Sequence, residues 1–229
     1  MKIENRKLFA VVMGASLFAF APAMAEGSRP YIEGQISLMQ VDDVDGTTSV
    51  AVGGFNAVVN ATAEYDSDIA FGAEIGVRKI ADTGFGVGVS FTSFQADLEQ
   101  VDLDAALSFN GVVIGTASGT FTADQLATAG FTLDNEVNTY SINTYYDFDG
   151  GKKFTPYVGF GIGLADIENA NDKELMLSGI VGINYVLTEN LYAGGRAAYH
   201  RISGPNDSLG FSFDDITVSS VGVVMGYNF

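Results

Sequence analysis

Residues Thr155 to Ala165 read TPYVGFGIGLA. Every second position from Val158, namely Val158, Phe160, Ile162 and Leu164, carries a large apolar side chain, and Tyr157, Gly159, Gly161 and Gly163 alternate with them. A period of two is that of a β-strand with two unlike faces. The sizes on those faces decide the environment. A soluble sheet packs its large apolar residues inward and shows charge to water. Here the large residues form a face without charge and the other face is nearly bare, as in a narrow barrel with hydrocarbon outside and small side chains within.

Seven further segments repeat the pattern. In Tyr31–Met39, Ile32, Gly34, Ile36 and Leu38 oppose Glu33, Gln35 and Ser37; in Ile69–Ile80, Phe71, Ala73, Ile75 and Val77 oppose Gly72, Glu74, Gly76 and Arg78. From Phe85, Val87, Val89 and Phe91 oppose Gly88, Ser90 and Thr92. Val137–Phe148, Leu175–Leu187, Leu191–Arg201 and Thr217–Phe229 follow, the first with Ser141, Asn143 and Tyr145 on its polar side, the third with Tyr192, Arg196 and His200. In Leu175–Leu187, Ile180 and Val186 interrupt the polar face. Each segment is about ten residues, the length with which a tilted strand crosses a bilayer. Tight turns at 81–84, 149–152 and 188–190 alternate with long connections at 40–68, 97–136, 166–174 and 201–216. The expected fold is all-β, a transmembrane up-and-down antiparallel barrel of eight strands. Alternation from Ala105 to Phe121, with a hairpin signal at Asn110-Gly111, leaves two alternatives. Strands three and four continue above the membrane, or an added hairpin makes ten strands; Phe55-Asn56 marks a similar extension.

Composition agrees. The 229 residues carry a net charge of −17, are 47% apolar and include no Cys. The charge excludes nucleic acid as partner, since phosphate binding needs clustered bases. The absence of Cys excludes disulfides and thiolate chemistry. Residues 1–25 read as a signal peptide, with Lys2, Arg6 and Lys7, an apolar stretch Leu8–Phe20 and small residues Ala23 and Ala25 at the cleavage site. The barrel domain is then 26–229, with 27 acids and eight bases once Glu4 and three bases are removed. After Ala25 no apolar run is long enough for a spanning helix. Twenty of those acids lie in the four long connections, with only Lys173 and Arg201 as bases. One rim is therefore acidic.

Strand parity places Glu33, Gln35, Glu74, Arg78, Arg196 and His200 inside the barrel. An eight-stranded interior leaves little free lumen, so the expected role is a plug in which Glu33 and Glu74 pair with Arg78 and Arg196. The alternative is a gated conduit. His200 is the only His, and a pairing with Ser203 would suggest a lipid A-modifying enzyme. Three residues apart on a strand they point to opposite faces, so no catalytic residue is assigned. Asp42-Asp43-Val44-Asp45 and Asp214-Asp215 could hold Ca²⁺ or bridge Mg²⁺ to lipopolysaccharide phosphates. They match no calcium motif, and a solvated acidic rim is the expectation; no metal or cofactor is assigned. The Gly-x-Gly repeats at 86–88 and 159–163 precede no helix and are not nucleotide sites.

Tyr145-Tyr146-Asp147-Phe148, then Phe154-Thr155-Pro156-Tyr157-Val158-Gly159 and Gly161, with GINYVLTENL at 182–191, resemble the opacity-protein and surface-antigen family of eight-stranded outer-membrane barrels. The ending GVVMGYNF resembles the terminal strand that the outer-membrane assembly machinery recognises, carried here by Val221, Val223, Met225, Tyr227 and Phe229. The resemblance covers 137–229 most closely. It implies residence in the outer membrane among its lipids and lipopolysaccharide, and surface exposure; with the acidic loops, the expected role is structural or surface-interaction and adhesion toward an unassigned host or surface ligand. It implies no shared enzymatic activity, since function lies in the loops. A narrow porin-like channel for small solutes is the alternative.

Overall fold

A computed structural model of the protein describes residues 27–130, 134–148, 153–168, 170, 172–205 and 212–229. The segment 1–25, with Ala23 and Ala25, and the turn at 149–152 lie outside them. The chain forms strands β1 (Arg29–Val41), β2 (Val44–Val52), β3 (Phe55–Tyr65), β4 (Asp68–Arg78), β5 (Phe85–Phe109) and β6 (Val112–Thr122), a short helix α1 (Ala123–Thr128), and strands β7 (Asp134–Asp147), β8 (Phe154–Ile167), β9 (Glu174–Val186), β10 (Leu191–Ile202), β11 (Ser212–Phe213) and β12 (Ile216–Asn228).

Eight strands close a ring. β1 pairs with β4, β4 with β5, β5 with β7, and pairing continues through β8, β9, β10 and β12 back to β1, antiparallel throughout. These are the eight segments of the sequence reading. Closure leaves no strand edge within the ring, the one way a sheet can satisfy its backbone in hydrocarbon. The outward face exposes a belt of large apolar residues, among them Ile36, Phe71, Val89, Ile142, Phe160, Val181 and Val223. Lipid, not water, suits such a surface. Edge-to-face pairs Phe85–Tyr146, Tyr146–Phe148 and Tyr227–Phe229 edge it at the short-turn rim, as aromatic girdles do at membrane interfaces.

The ten-stranded alternative is corrected, because none of the additional strands enters the ring. Strand three continues instead: β5 runs 25 residues, its first half in the barrel and its second half beyond it. There it pairs with β3 on one side and β6 on the other, and β2 and β11 extend this outer sheet. Strand four takes no part, since β7 pairs only with barrel residues of β5. Gly53-Gly54 and Asn110-Gly111 close the two outer hairpins with positive φ at both positions, the type I′ geometry that matches strand twist. At Glu99 the register against β3 slips by one residue. This bulge lets the apolar parity of β5 pass from even numbers (Phe94, Ala96) to odd ones (Val101, Leu103, Leu107) while keeping one continuous face.

Protease added to intact cells is expected to cut within 40–68 or 97–136, first at the Gly53-Gly54 and Asn110-Gly111 tips, because the flanking backbone is paired in the sheet. Peptide mapping of the fragments checks this. Cuts confined to 81–84, 149–153 or 188–190 would mean that the topology is inverted.

Candidate functional site

The lumen is built in layers from the short-turn rim. The first contains four tyrosines, Tyr31, Tyr145, Tyr157 and Tyr192, all buried. Each lies over the glycine directly opposite on a neighbouring strand: Gly76, Gly159, Gly182 and Gly226. A Cβ on any of these glycines would come within 2.2–2.8 Å of the ring above it. The inward glycines are thus the floors on which the tyrosines lie. Arg78 enters the same layer, its guanidinium 4.1 Å from the Tyr145 ring centre and 4.9 Å from that of Tyr157. Its Nη1 pairs with Asp147 Oδ1 at 2.5 Å. Its Nε and Nη2 have no hydrogen-bond partner among the described residues, so ring faces carry much of its stabilisation.

Glu33 and Glu74 form the second layer, directly opposite one another on β1 and β4 and each 2% exposed. Two carboxylates so placed repel. Arg196 resolves the conflict: Nη2 lies 2.5 Å from Glu33 and Nη1 lies 3.8 Å from Glu74. Arg196 also donates to Tyr157 Oη at 2.9 Å and Gln35 Oε1 at 3.0 Å. Neutral donors complete the acids. Tyr192 donates to Glu33 at 2.9 Å, while Tyr145 at 2.6 Å, Asn143 at 2.9 Å and Tyr31 donate to Glu74. The expected grouping therefore needs one correction. Arg78 pairs with Asp147 and not with Glu33 or Glu74. Asp147 shares strand parity with Asn143 and Tyr145, a signal that placed it inside but went unused.

Above the acids lies a cavity of about 40 Å³, lined by Ser90, Ser141, Asn143, Ser178 and His200 among others. That is room for a few waters at most. His200 Nδ1 is 2.8 Å from Ser178 Oγ, its cross-strand neighbour on β9. Ser203 is not its partner, and pairs with Leu175 through its backbone N–H.

The outer half of the lumen overturns the expectation of a polar interior throughout. Met39, Val41, Val44, Phe94, Ala96, Val137, Met176, Ile202 and Val218 pack into one apolar cluster, with Tyr65, Phe213 and Ile216 against it. Val41, Phe94, Ala96 and Ile202 lie just past the alternating residues of the ring segments, while Met39, Val137, Met176 and Val218 are apolar residues at inward parity near the segment ends. The cluster lies between the polar layers and the long-loop rim.

Beyond it stands the outer sheet, whose register sorts its two faces. Val44, Val50, Val52, Phe55, Ala61, Ala63, Val101, Leu103, Leu107 and Phe121 share one face, continuous through Val44 with the lumen cluster. Asp45, Asn60, Thr62, Glu64, Asp102, Asp104, Ser118 and Thr120 share the other. Hydroxyls hold the acids: Thr62 donates to Asp45 at 2.6 Å and Thr120 to Asp102. The two bases of this rim are both engaged, Lys173 with Asp166 at 2.7 Å and Arg201 with Asp215 at 2.7 Å. Arg201 and the Gly204 N–H hold the Asp215 carboxyl below its ordinary range. Among the described residues no three His, Asp or Glu side chains converge as metal ligands would.

The sequence profile of the outer membrane protein beta-barrel domain matches residues 8–229. Outer membrane protein PagN of Salmonella typhimurium is 24% identical over 206 residues, covering 81% of this chain and 80% of that protein. The crystal structure of Neisserial surface protein A superposes with a TM-score of 0.53 at 13% identity, covering 89% of this chain and all of that one. OprG of Pseudomonas aeruginosa follows, with a TM-score of 0.49 at 17% identity, covering 90% and 98%.

Proposed function

The chain belongs to the outer membrane protein beta-barrel domain family, and on that premise we propose that its barrel is a closed anchor whose acidic outer sheet and loops meet other surfaces. It resides in the outer membrane. The observation that supports the reading is the division of labour along the lumen axis. The inner half is filled by paired charges and tyrosines, the outer half by the apolar cluster, while the outer sheet is an ordered structure that the ring does not need for closure. An adhesive surface is where such a sheet is useful. The His200–Ser178 pair lies behind the apolar cluster, out of reach of a lipid headgroup, which argues against hydrolytic work.

Two measurements on one preparation test the reading. Cells displaying the full chain should adhere to host-cell or matrix surfaces, and adhesion should be lost when 46–63 and 101–121 are replaced by short turns that leave the barrel folded. Planar bilayers containing the purified protein should show no steady single-channel conductance, since the cavity between the layers holds only a few waters. Regular, Arg196-dependent current steps with adhesion indifferent to the sheet would replace this reading with a small-solute channel.

A further inference from the structure

β6 is the last strand on one side of the outer sheet; among the described residues it pairs with β5 alone. Its sequence, VVIGTASGTFT, contains no charge and no proline. Natural edge strands are ordinarily blunted by one or the other, or by a bulge. The one irregularity here is at Ile114, near the tip, and from Gly115 to Thr122 the register is unbroken. Apart from the Thr122 N–H, which donates to Gln125 Oε1 at 3.0 Å, this run presents a ladder of backbone donors and acceptors to water.

The flanks of the ladder state what could join it. On the apolar face β6 offers Gly115, Ala117, Gly119 and Phe121. The small residues leave Leu107 of β5 uncovered, 40% exposed. On the polar face β6 offers Thr116, Ser118 and Thr120, with Asp102 and Asp104 of β5 directly behind them and Asp45 and Glu64 on the strands beyond. No Lys or Arg occurs in β2, β3, β6 or the outer half of β5. A strand added to β6 would lie about 10 Å from the Asp102 and Asp104 backbone, two strand spacings, within reach of a long basic side chain.

We propose that the β6 edge is a docking site for an extended peptide segment of a partner protein in which basic and apolar residues alternate. The partner strand pairs its backbone with Gly115–Phe121. Its apolar side chains cover the glycine shelf beside Leu107, and its Lys or Arg side chains lie over Thr116, Ser118 and Thr120 toward the acids. Main-chain bonds give affinity and alternate side chains give selectivity, as in strand addition generally. A second copy of the chain is the weaker occupant, because it would bring a second acidic face beside the first. The inference rests on the surface-interaction reading and names the chemistry of the partner.

Full-length protein refolded in lipid nanodiscs is titrated with fluorescent peptides of equal length and followed by anisotropy. A Val/Lys alternating peptide should bind. Its Val/Glu counterpart, a block-scrambled Val/Lys peptide and a version N-methylated at alternate backbone nitrogens should each bind at least about tenfold more weakly, since each loses charge matching, face matching or several ladder hydrogen bonds. Asp102→Asn with Asp104→Asn should weaken the Val/Lys peptide but leave a Val/Thr peptide unchanged. Equal binding of the scrambled or N-methylated peptide would reduce the effect to adsorption on an acidic rim and overturn the proposal. So would no binding at all, or a concentration-dependent dimer that excludes the peptide. Cells that adhere through the outer sheet while the purified protein ignores these peptides would sink this inference alone. Peptide binding without any adhesion would sink only the cellular reading.

Discussion

Arg196→Ala is expected to lower the unfolding free energy of the barrel by about 3 kcal/mol, the low end of what breaking a buried ion pair costs. Arg196 is the group that separates Glu33 from Glu74, two carboxylates facing one another across adjacent strands, each 2% exposed. Without it the remaining base, Arg78, stays committed to Asp147, and the two acids keep only neutral donors. A urea series in lipid vesicles reads the effect as a shift in midpoint at unchanged slope. Glu33→Gln in the same background should restore part of the loss by removing one of the opposed charges, which separates electrostatic conflict from lost packing. An unchanged midpoint for Arg196→Ala would mean that water reaches the acids and that the lumen is not a plug.

Removing Phe229 is expected to produce a larger effect in cells than any interior substitution, and almost none in a test tube. In the folded barrel Phe229 is 64% exposed, stacks edge-on against Tyr227 at 5.2 Å and donates one backbone hydrogen bond to Pro30. Little native stability depends on such a residue. Its role is proposed to be recognition, as the last of the alternating residues Val221, Val223, Met225 and Tyr227 that the assembly machinery reads. Deleting Phe229 should therefore leave only a trace of folded, heat-modifiable protein in the outer membrane, with protease-sensitive chains in the periplasm. The same protein purified from inclusion bodies should refold in detergent with near-normal yield. Normal amounts in the membrane would remove the recognition role; failure in detergent as well would make the defect one of stability.

The eight ring strands were legible because each repeats one simple period, and lipid outside and small residues inside leave that period undisturbed. What the period cannot state is register. Parity placed Arg78 and Glu33 on the same side, but whether they touch depends on how β1 and β4 slide past one another. The observed register puts Glu33 opposite Glu74 and Arg78 near Asp147. His200 meets Ser178 for the same reason, across strands and not along one. The outer sheet was half legible. Asn110-Gly111 announced its hairpin, yet β3 and the upper part of β5 alternate just as barrel strands do, and the slip at Glu99 leaves no mark in composition. The apolar upper lumen was hidden by averaging, since an inner face that begins with Glu33 and ends with Val41 appears polar when read as a whole.

The seam of the ring has a kinetic meaning. Around most of the circle each strand pairs with one close in the chain, so those ladders can form as hairpins do, without a long search. Tyr31 against Asn228 and Val41 against Val218 are different: the first and last strands must find one another across nearly the whole sequence. Contacts of such high order are slow, because the entropy of closing the intervening loop is lost before any bond rewards it. Until they form, the molecule is a curved open sheet with two bare edges and an apolar outer face, a species prone to aggregate in water. The hazardous interval of its life ends only when β12 docks.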